Sequence, residues 1–361
     1  MKFSCLKNDL KNGLKLIDKF ASVFKKESLI LKICVEESVR FSVATPGYEA
    51  QVSLPQVEIQ ESGLIGIDYS AFQQVLKGLR RNVLLSCRLV TTPEGVTFVL
   101  VTPEGEMHRI PAHLIQPEAA EEEAQPVMNL GMDEFWQSLL QVNRVVPKKH
   151  LIDVFTKVKW VVTPSAVRWV AVSQTELAIK HFQTLVSEGS QVFYLKGSDM
   201  DILKKCLSAV SDQRLLVEST SEALKLSGET FVLRLPLERG TDVQVEKLVV
   251  RNMVKYEVSI PDWINQIHQQ VEILGQQDAA ITAKQLKCRL QVENQQLQLI
   301  LAVEEESRGW FGADEFLKIF KQDSEGAWQC WIPQGEEPMV AFVKQESMAT
   351  FYLYLLTTGL V

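Results

Sequence analysis

The composition of this chain is typical of a globular protein outside the membrane. It has 361 residues, of which 46% are hydrophobic and 23% charged, and a formal net charge of -7. The length predicts two or three domains. No apolar run of about 18 residues could span a membrane, and the start of the chain lacks the apolar core of a signal peptide. We therefore expect a cytoplasmic protein without a membrane partner.

Six amphipathic helices are predicted, in three pairs. The first helices of the pairs span 8–24, 132–146 and 260–274, and the second helices span 70–82, 198–210 and 313–323. The first helices recur with a period of roughly 125 residues, which suits three domains of ordinary size. The repeated pair of helices is the first sign that the chain is built from similar domains.

The helix predicted over 70–82 shows the pattern most clearly. Its apolar residues recur at i, i+3, i+4 and i+7 from Phe72, which is the spacing of a single buried stripe. Ser70 and Gln73 form a predicted capping box that would begin the helix. The polar face of this helix is basic, in an otherwise acidic chain. It carries Lys77, Arg80 and Arg81.

Between the helices the hydrophobic period falls to two, which predicts half-buried strands. This alternation covers 39–45, 167–173 and 285–303, with a turn at 293–295, and a meander is predicted over 82–111. Each repeat therefore reads as helix, strands, helix, strands. The predicted fold class is α+β, with three similar domains that each place two helices on one face of antiparallel sheets.

The acidic segment 116–127, bounded by prolines, is predicted to be a linker. It gives domains at 1–117, 128–248 and 252–361. The third domain is predicted to be short of one strand, because the connection to its second helix is short. The gaps from Val43 to Ser70, from Val172 to Ser198 and from Val303 to Ala313 are 27, 26 and 10 residues. At about 3.3 Å per residue, the last gap has no room for another strand and its turns.

Five segments distributed over the whole chain resemble a known family. They are "MKFSCLKNDLKNGLKLI", "VRFSVAT", "VRWVAVS", "TELAI" and the closing "FYLYLLTTGLV". Together with the tripartite layout, they are similar to the bacterial DNA polymerase III beta subunit, the sliding clamp. The resemblance implies a DNA-clamp fold, a head-to-tail homodimer closed into a ring around duplex DNA, and a processivity role. It also implies that the helices line the channel.

Basic residues on the predicted helices are the expected contacts to DNA, because a channel around a polyanion requires positive charge. Contacts to phosphates carry no sequence information. The candidates on the helices are Lys11, Lys15, Lys19, Lys77, Arg80, Arg81, Lys204, Lys205, Lys318 and Lys321. The resemblance adds the loop residues Lys148, Lys149 and His150, which match a stretch that touches DNA in the family.

The resemblance also implies a hydrophobic pocket that binds short peptides of the DNA polymerase and the clamp loader. By position, the pocket falls on Val172, Thr175, Leu177, Val243, Lys247, Leu248, Leu355, Thr357 and Thr358. The chain departs from the family here. It has "VSQTEL" where the family has a Thr-Asp-Gly-His-Arg-Leu type of segment, so Glu176 replaces a base, and it ends in "TTGLV". We expect its preferred peptide to differ.

No motif of an enzyme is found in the sequence. Phosphate-binding glycine loops, zinc motifs and nucleophile elbows are absent, and the six cysteines are scattered without a metal-binding spacing. We expect no catalytic residue, no metal and no cofactor. Two functions stay open at this point. One is a DNA sliding clamp, and the other is a clamp-like phage or mobile-element protein that binds replication proteins without closing a ring.

Overall fold

The fold is described from a computed structural model. It describes residues 1–24, 28–54, 57–79, 82–93, 95–116, 123–147, 153–174, 176–183, 189–238, 253–278, 280–293, 295–303, 310–321, 324–333, 339–346 and 349–356. The chain divides into two compact units. The first consists mainly of Met1–Trp136 and Ser198–Glu238, and the second of Gln137–Leu185, Gly189–Gly197 and Arg239–Val361.

The elements follow one another in three similar series. Up to residue 116 they are β1 (Lys2–Leu6), α1 (Lys7–Gly13), α2 (Lys15–Ala21), β2 (Ile30–Val35), β3 (Val39–Thr45), β4 (Tyr48–Leu54), β5 (Glu58–Glu61), β6 (Gly63–Asp68), α3 (Tyr69–Gly78), β7 (Leu84–Thr92), β8 (Gly95–Val101) and β9 (Met107–Leu114). From residue 123 to 238 they are β10 (Gln125–Gly131), α4 (Met132–Asn143), a 3-10 turn (Asp153–Thr156), β11 (Lys157–Thr163), β12 (Ala166–Val172), β13 (Glu176–Gln183), β14 (Gln191–Lys196), α5 (Gly197–Leu207), β15 (Arg214–Ser219), β16 (Ala223–Ser227) and β17 (Phe231–Pro236).

The third series has fewer described strands before its second helix. It consists of β18 (Met253–Val258), α6 (Ile260–Gln277), β19 (Leu286–Glu293), β20 (Gln296–Val303), β21 (Trp310–Gly312), α7 (Ala313–Phe320), β22 (Trp328–Pro333), β23 (Met339–Gln345) and β24 (Ala349–Leu356). Between β20 and β21 lie residues 304–309, which are outside the described part of the chain. The fold is thus α+β, as predicted, and its described strand pairs are antiparallel.

The strands form one large sheet in the first unit and two sheets in the second. The order in the first unit is β10-β15-β16-β17-β4-β3-β2-β6-β9-β8-β7-β1-β5. The second unit contains β14-β11-β12-β13-β24-β23-β22-β18 and the small sheet β20-β19-β21. In each large sheet, a strand of one series pairs with the last strand of the next. These two pairs are β4 with β17 and β13 with β24.

Aromatic residues form the centres of both units. In the first unit, the Phe3 ring contacts Phe41 and Phe98, and the Phe72 ring of α3 packs on the latter two. In the second unit, Trp160 and Trp169 lie 4.2 Å apart between ring centroids on paired strands. Burial of such large side chains provides most of the driving force for folding.

The first predicted helix, 8–24, is in fact two helices that meet at Leu14. Leu14 has φ -79 and ψ -2, a conformation between the helical and turn regions. Just before it, α1 approaches β4 so closely that a Cβ on Gly13 would lie 2.3 Å from Leu54 Cδ2. A larger residue here would force the Leu54 side chain to move, and the glycine itself weakens the helix locally.

The predicted capping box at Ser70 is wrong. The helix α3 begins at Tyr69, and Asp68 caps it, since its Oδ1 accepts a hydrogen bond of 2.7 Å from the Ala71 backbone N–H. Aspartate is as good a cap as serine, and it stands two residues earlier, at the end of β6. The amide of Gln73 instead donates to Asp18 of α2, at 2.6 Å. The helix ends at Gly78, not at residue 82.

The linker predicted over 116–127 is also shorter than expected. Strand β10 already begins at Gln125 because its residues pair with β15, from Gln125 opposite Ser219 to Gly131 opposite Arg214. The turn predicted at 293–295 is confirmed. The β19–β20 hairpin turns at Gln295, whose φ of 63 is in the left-handed region.

Candidate functional site

Three lysines of α1 and α2 form an exposed stripe. Lys11, Lys15 and Lys19 are exposed and repeat every four residues, which places them on one side of the helical segment. Leu10 and Ile17, on the other side, are fully buried. The side chains that hold the helices on the sheet thereby fix the direction in which the lysines point.

A half-buried carboxylate, Asp18, lies between this stripe and the helix that carries Lys77. Asp18 Oδ1 accepts hydrogen bonds from the Tyr69 hydroxyl, at 2.5 Å, and from the Gln73 amide, at 2.6 Å. Burial raises the pKa of Asp18, and the Tyr69 hydrogen bond and the charges of Lys77 and Lys11 lower it in part. Lys11 of α1 and Lys77 of α3 therefore both lie close enough to Asp18 to act on its charge.

The later helices are less positive. On α5, Lys205 is exposed and Lys204 is half-buried, and both lie in the last turn, where cations favour the helix dipole. On α7, the ammonium of Lys318 forms an ion pair of 2.6 Å with Asp314, which raises its pKa. Lys321 follows the helix and is exposed. Helix α6 has two acidic residues and neither lysine nor arginine.

Several predicted site residues fall outside the described part of the chain and stay predictions. These are Arg80, Arg81, Lys148, Lys149, His150, Thr175, Val243, Lys247, Leu248, Thr357 and Thr358.

Two predicted pocket residues, Val172 and Leu177, lie together. They are cross-strand partners in β12 and β13, at the end of a hairpin closed by a bond of 2.8 Å from Ser173 N to Glu176 O. Leu177 pairs on its other side with Tyr354 of β24. Cross-strand partners share a face of the sheet, so these three side chains lie together on one face, where Leu177 and Tyr354 are buried at 5% and 2% exposure and Val172 is half-buried.

These side chains belong to a larger cluster of buried apolar residues, which the sequence did not predict. We call it the apolar face. Its members are Val170, Leu177, Ile179, Met339, Ala341, Val343 and Tyr354, with Val172, Met253, Trp331 and Tyr352 packed against them. The continuous apolar runs of β23 and β24 were the available signal, but only the pairing of β13 with β24 brings the two halves together.

The third described pocket residue, Leu355, lies on the opposite face of the same sheet, because its cross-strand partner is Glu176. Burial raises the pKa of the Glu176 carboxyl to about 7, while the charge of Arg144 lowers it and that of Glu315 raises it. The acid that replaces the family's base is therefore directed away from the apolar face. It titrates close to neutral pH.

The described residues contain no cluster of histidine, cysteine, aspartate and glutamate that could hold a metal ion. In the same part of the chain, no helix is long and apolar enough to cross a membrane. All six cysteines are free thiols, and five of them are buried.

Solved structures with this fold are bacterial replication clamps. No family model matches the sequence, and no curated protein matches it. The DNA polymerase III subunit beta of Pseudomonas aeruginosa is 13% identical, with a TM-score of 0.72, over 100% of both chains. The DNA polymerase sliding clamp of Bacillus subtilis gives the same values. The Helicobacter pylori beta clamp, solved with carprofen, is 12% identical over 100% of both chains, with a TM-score of 0.74. The chain therefore has, over its full length, the fold of these clamps.

Proposed function

We propose that the protein is a divergent member of the DNA polymerase III beta subunit family and acts as a DNA sliding clamp. Two chains, each of three domains, would close into a ring that encircles duplex DNA without reading its sequence. The ring would tether a replicative polymerase in the cytoplasm and would not itself catalyse a reaction. The lysine stripe on α1 and α2 is the observation that carries this proposal, beside the fold.

The spacing of the stripe suits the DNA backbone. Eight helical residues separate Lys11 from Lys19, which corresponds to roughly 12 Å at 1.5 Å per residue. One DNA strand presents a phosphate about every 3.4 Å along the helix axis, so three lysines can reach three or four phosphates. The buried side chains of Leu10 and Ile17 hold the helices, and hence the backbone positions of the three lysines, in place before binding.

Exposed apolar side chains support ring closure through the two ends of the chain. Met107 and Leu114 on β9 are 52% and 68% exposed, and Ile273 on α6 and Val292 on β19 are 53% and 46% exposed. The first two belong to the predicted first domain, and the others belong to the predicted third domain. Large exposed apolar residues are often interface residues, and the permanent interfaces of homodimers are more apolar than the remaining surface.

A second candidate function rests on the third series of elements. Its strand β20 is an edge strand of the described residues, whereas β4 and β13 each pair with the last strand of the next series. The strand that would make the corresponding pair with another chain is not among the described elements. This favours a clamp-like protein, of phage or mobile-element origin, that binds replication proteins as a monomer.

Sedimentation velocity at micromolar concentration separates the two functions. We expect a species of about twice 40.8 kDa, and we expect Met107→Glu or Ile273→Glu to dissociate it by burying a charge in the interface. The control is Val192→Glu, since Val192 is 49% exposed but lies in the predicted middle domain. A wild-type protein that sediments strictly as a monomer would exclude the closed ring and support the second function.

We also propose that the polymerase and the clamp loader bind through a peptide that inserts at Val172 and Leu177 on the apolar face. A few buried apolar anchors suffice for such recognition. The test is the anisotropy of a labelled peptide copied from the C-terminus of the host polymerase. We expect Val172→Glu to weaken binding at least tenfold and Val192→Glu to leave it unchanged. Equal binding to both variants would place the peptide elsewhere.

A further inference from the structure

The two strand pairs that join successive series can be compared residue by residue. In the first unit, the turn before β17 is closed by a bond from Gly228 N to Phe231 O, and Leu233, five residues after Gly228, pairs with Ala50. In the second unit, Glu346 N bonds to Ala349 O, and Phe351, five residues after Glu346, pairs with Lys180. Counted from these turns, Ala50 occupies the position of Lys180, and Gly228 that of Glu346, whereas counted from the strands 39–45 and 167–173 the residue opposite Phe41 is Val52.

The second pair is held by a buried cation. Lys180 is fully buried, and its ammonium donates to Gln141 Oε1 of α4, at 2.8 Å, and to the carboxylate of Glu346. The rings of Phe182 and Phe351 lie 5.9 Å from the same nitrogen. The chain thus supplies its own lysine to this position, with an amide, a carboxylate and two aromatic rings around it.

The first pair has none of these polar groups. Gln141 stands ten residues after the end of β10, and the residue ten after the end of β1 is Leu16. With Ala50 and Gly228 as the other counterparts, the network of lysine, amide and carboxylate is replaced by two apolar residues and a glycine. A side chain on Gly228 would meet the Asp212 carboxylate at 2.2 Å from its Cβ, so no glutamate fits there.

A cavity of about 250 Å³ in the first unit is lined by Leu16, the counterpart of Gln141, and by Val52 of β4. Its floor is apolar and includes Leu16, Val52 and Phe231, all buried. Asp9 and Ser211 contribute polar groups to its wall. The residues that line it include no lysine, arginine or histidine.

The polar side of the cavity is negatively charged. Asp9 is half-buried, and its carboxylate makes no hydrogen bond or ion pair with any described residue. Asp212 adjoins the lining residue Ser211, and its carboxylate accepts from the Thr230 backbone N–H at 2.9 Å and from the Thr230 hydroxyl at 2.8 Å. A phosphate would be repelled by these two carboxylates, whereas a cation would be attracted.

The volume limits the size of the ligand. Pockets for drug-sized molecules measure roughly 300 to 1,000 Å³, so a cavity of about 250 Å³ suits a single long side chain. We propose that this cavity binds a lysine or arginine side chain from an extended segment of a partner protein. The alkyl stem packs on Leu16, Val52 and Phe231, and the cationic group pairs with Asp9, as Lys180 pairs with Glu346 within the chain.

The test uses a defined probe, acetyl-leucyl-arginyl-leucine amide, on the full chain with ¹³C-labelled leucine and valine methyl groups. We expect the methyl resonances of Leu16 and Val52 to shift on titration, and those of Leu177 on the apolar face to stay in place. The same peptide with citrulline, which lacks the charge, should bind at least fivefold more weakly. Shifts confined to other methyl groups, or equal binding of citrulline and arginine, would overturn the proposal.

Two variants with matched controls test the cavity itself. Asp9→Asn should weaken the arginine peptide at least fivefold and remove its advantage over citrulline. Asp262→Asn removes the same charge from the first turn of α6, which contributes no residue to the cavity, and should have no effect. Ser211→Phe should block binding, and Ser208→Phe, an exposed neighbour that does not line the cavity, should not.

This site is independent of the DNA interface. Asp9→Asn removes a negative charge and should leave duplex DNA binding unchanged or slightly stronger, so failure of the peptide test would not affect the clamp proposal. If Asp9→Asn lowers the melting temperature of the protein, the comparison of Ser211→Phe with Ser208→Phe still tests whether the peptide binds in the cavity. Peptide binding unchanged by Ser211→Phe would contradict the site.

Discussion

Removal of the lysine stripe should change how DNA binding depends on salt. In the variant Lys11→Gln, Lys15→Gln, Lys19→Gln, three exposed charges are lost and the buried contacts of Leu10 and Ile17 are kept. Each phosphate neutralised on duplex DNA contributes roughly 0.9 to the slope of log K against log salt. A ring of two chains carries six such lysines, which account for about 5.4 of that slope, and we expect the slope to become shallower by this amount.

The assay is fluorescence anisotropy of a labelled duplex between roughly 50 and 200 mM salt, where the slope is steep enough to measure. A control variant loses the same net charge from exposed residues outside the helices. It combines Arg88→Gln, Lys284→Gln and Arg289→Gln. Equal changes of slope in both variants would mean that net charge alone governs binding, and would refute the assignment of the stripe. Two unrelated duplex sequences should give the same result, because phosphate contacts are not sequence-specific.

The other predictions concern stability, measured by urea unfolding. Glu176→Gln should stabilise the protein at pH 8 by up to about 3 kcal/mol, at 1.36 kcal/mol per pKa unit, and should have no effect near pH 4. Glu346→Gln should destabilise it by roughly 3 to 5 kcal/mol, because it leaves the charge of Lys180 buried without its partner. Gly13→Ala should destabilise by roughly 1 to 3 kcal/mol through the clash with Leu54, although alanine favours helix.

The pH dependence of Glu176 follows from the direction of its pKa shift. The folded-state pKa of about 7 lies above the value of 4.5 for a free side chain, so the folded protein binds the proton more tightly than the unfolded chain. Stability from this group is therefore lost as pH rises from about 4.5 to about 7, because the buried carboxylate must ionise. A wild type and a Glu176→Gln variant with parallel stability profiles over this range would contradict the shift.

Matched controls accompany the two remaining substitutions. Glu325→Gln changes an exposed glutamate and should alter stability by less than about 0.5 kcal/mol. Gly78→Ala adds a methyl group that meets no atom within 4 Å, so its effect should be far smaller than that of Gly13→Ala. Destabilisation of similar size by both glycine substitutions would show that the Leu54 contact is not the cause.

Local patterns were sufficient to place the helices and some of the strands. The alternation in 39–45 predicts β3 with the observed limits, and 285–303 contains both strands of the β19–β20 hairpin and its turn. One face of each of these strands is buried, so the alternation of apolar and polar residues along the strand shows which face packs on the core. The same holds for the lysine stripe, since the exposed side of a helix is marked by its period of 3.6 residues.

The features that the sequence did not reveal depend on distant contacts. The close approach of Leu54 to Gly13, next to the break between α1 and α2, depends on the packing of β4 and is not visible in the helical pattern. In the sequence, Lys180 looks like an ordinary lysine on the exposed side of a strand. Its burial is possible because Gln141 and Glu346, which are distant in sequence, accept hydrogen bonds from its ammonium group. The cap at Asp68 was missed because Ser70 and Gln73 match the local signature equally well.

Topological retention on DNA tests the central claim most directly. A duplex is fixed to a bead at one end, the protein is incubated with the free end open, and the end is then blocked with streptavidin before a wash at high salt. A ring stays on the DNA only if it was added before the block, and it is released when a restriction enzyme cuts the duplex. Encirclement of the DNA predicts both the dependence on the order of addition and the release after cutting. Retention that does not depend on the order of addition, or that survives the cut, would contradict encirclement.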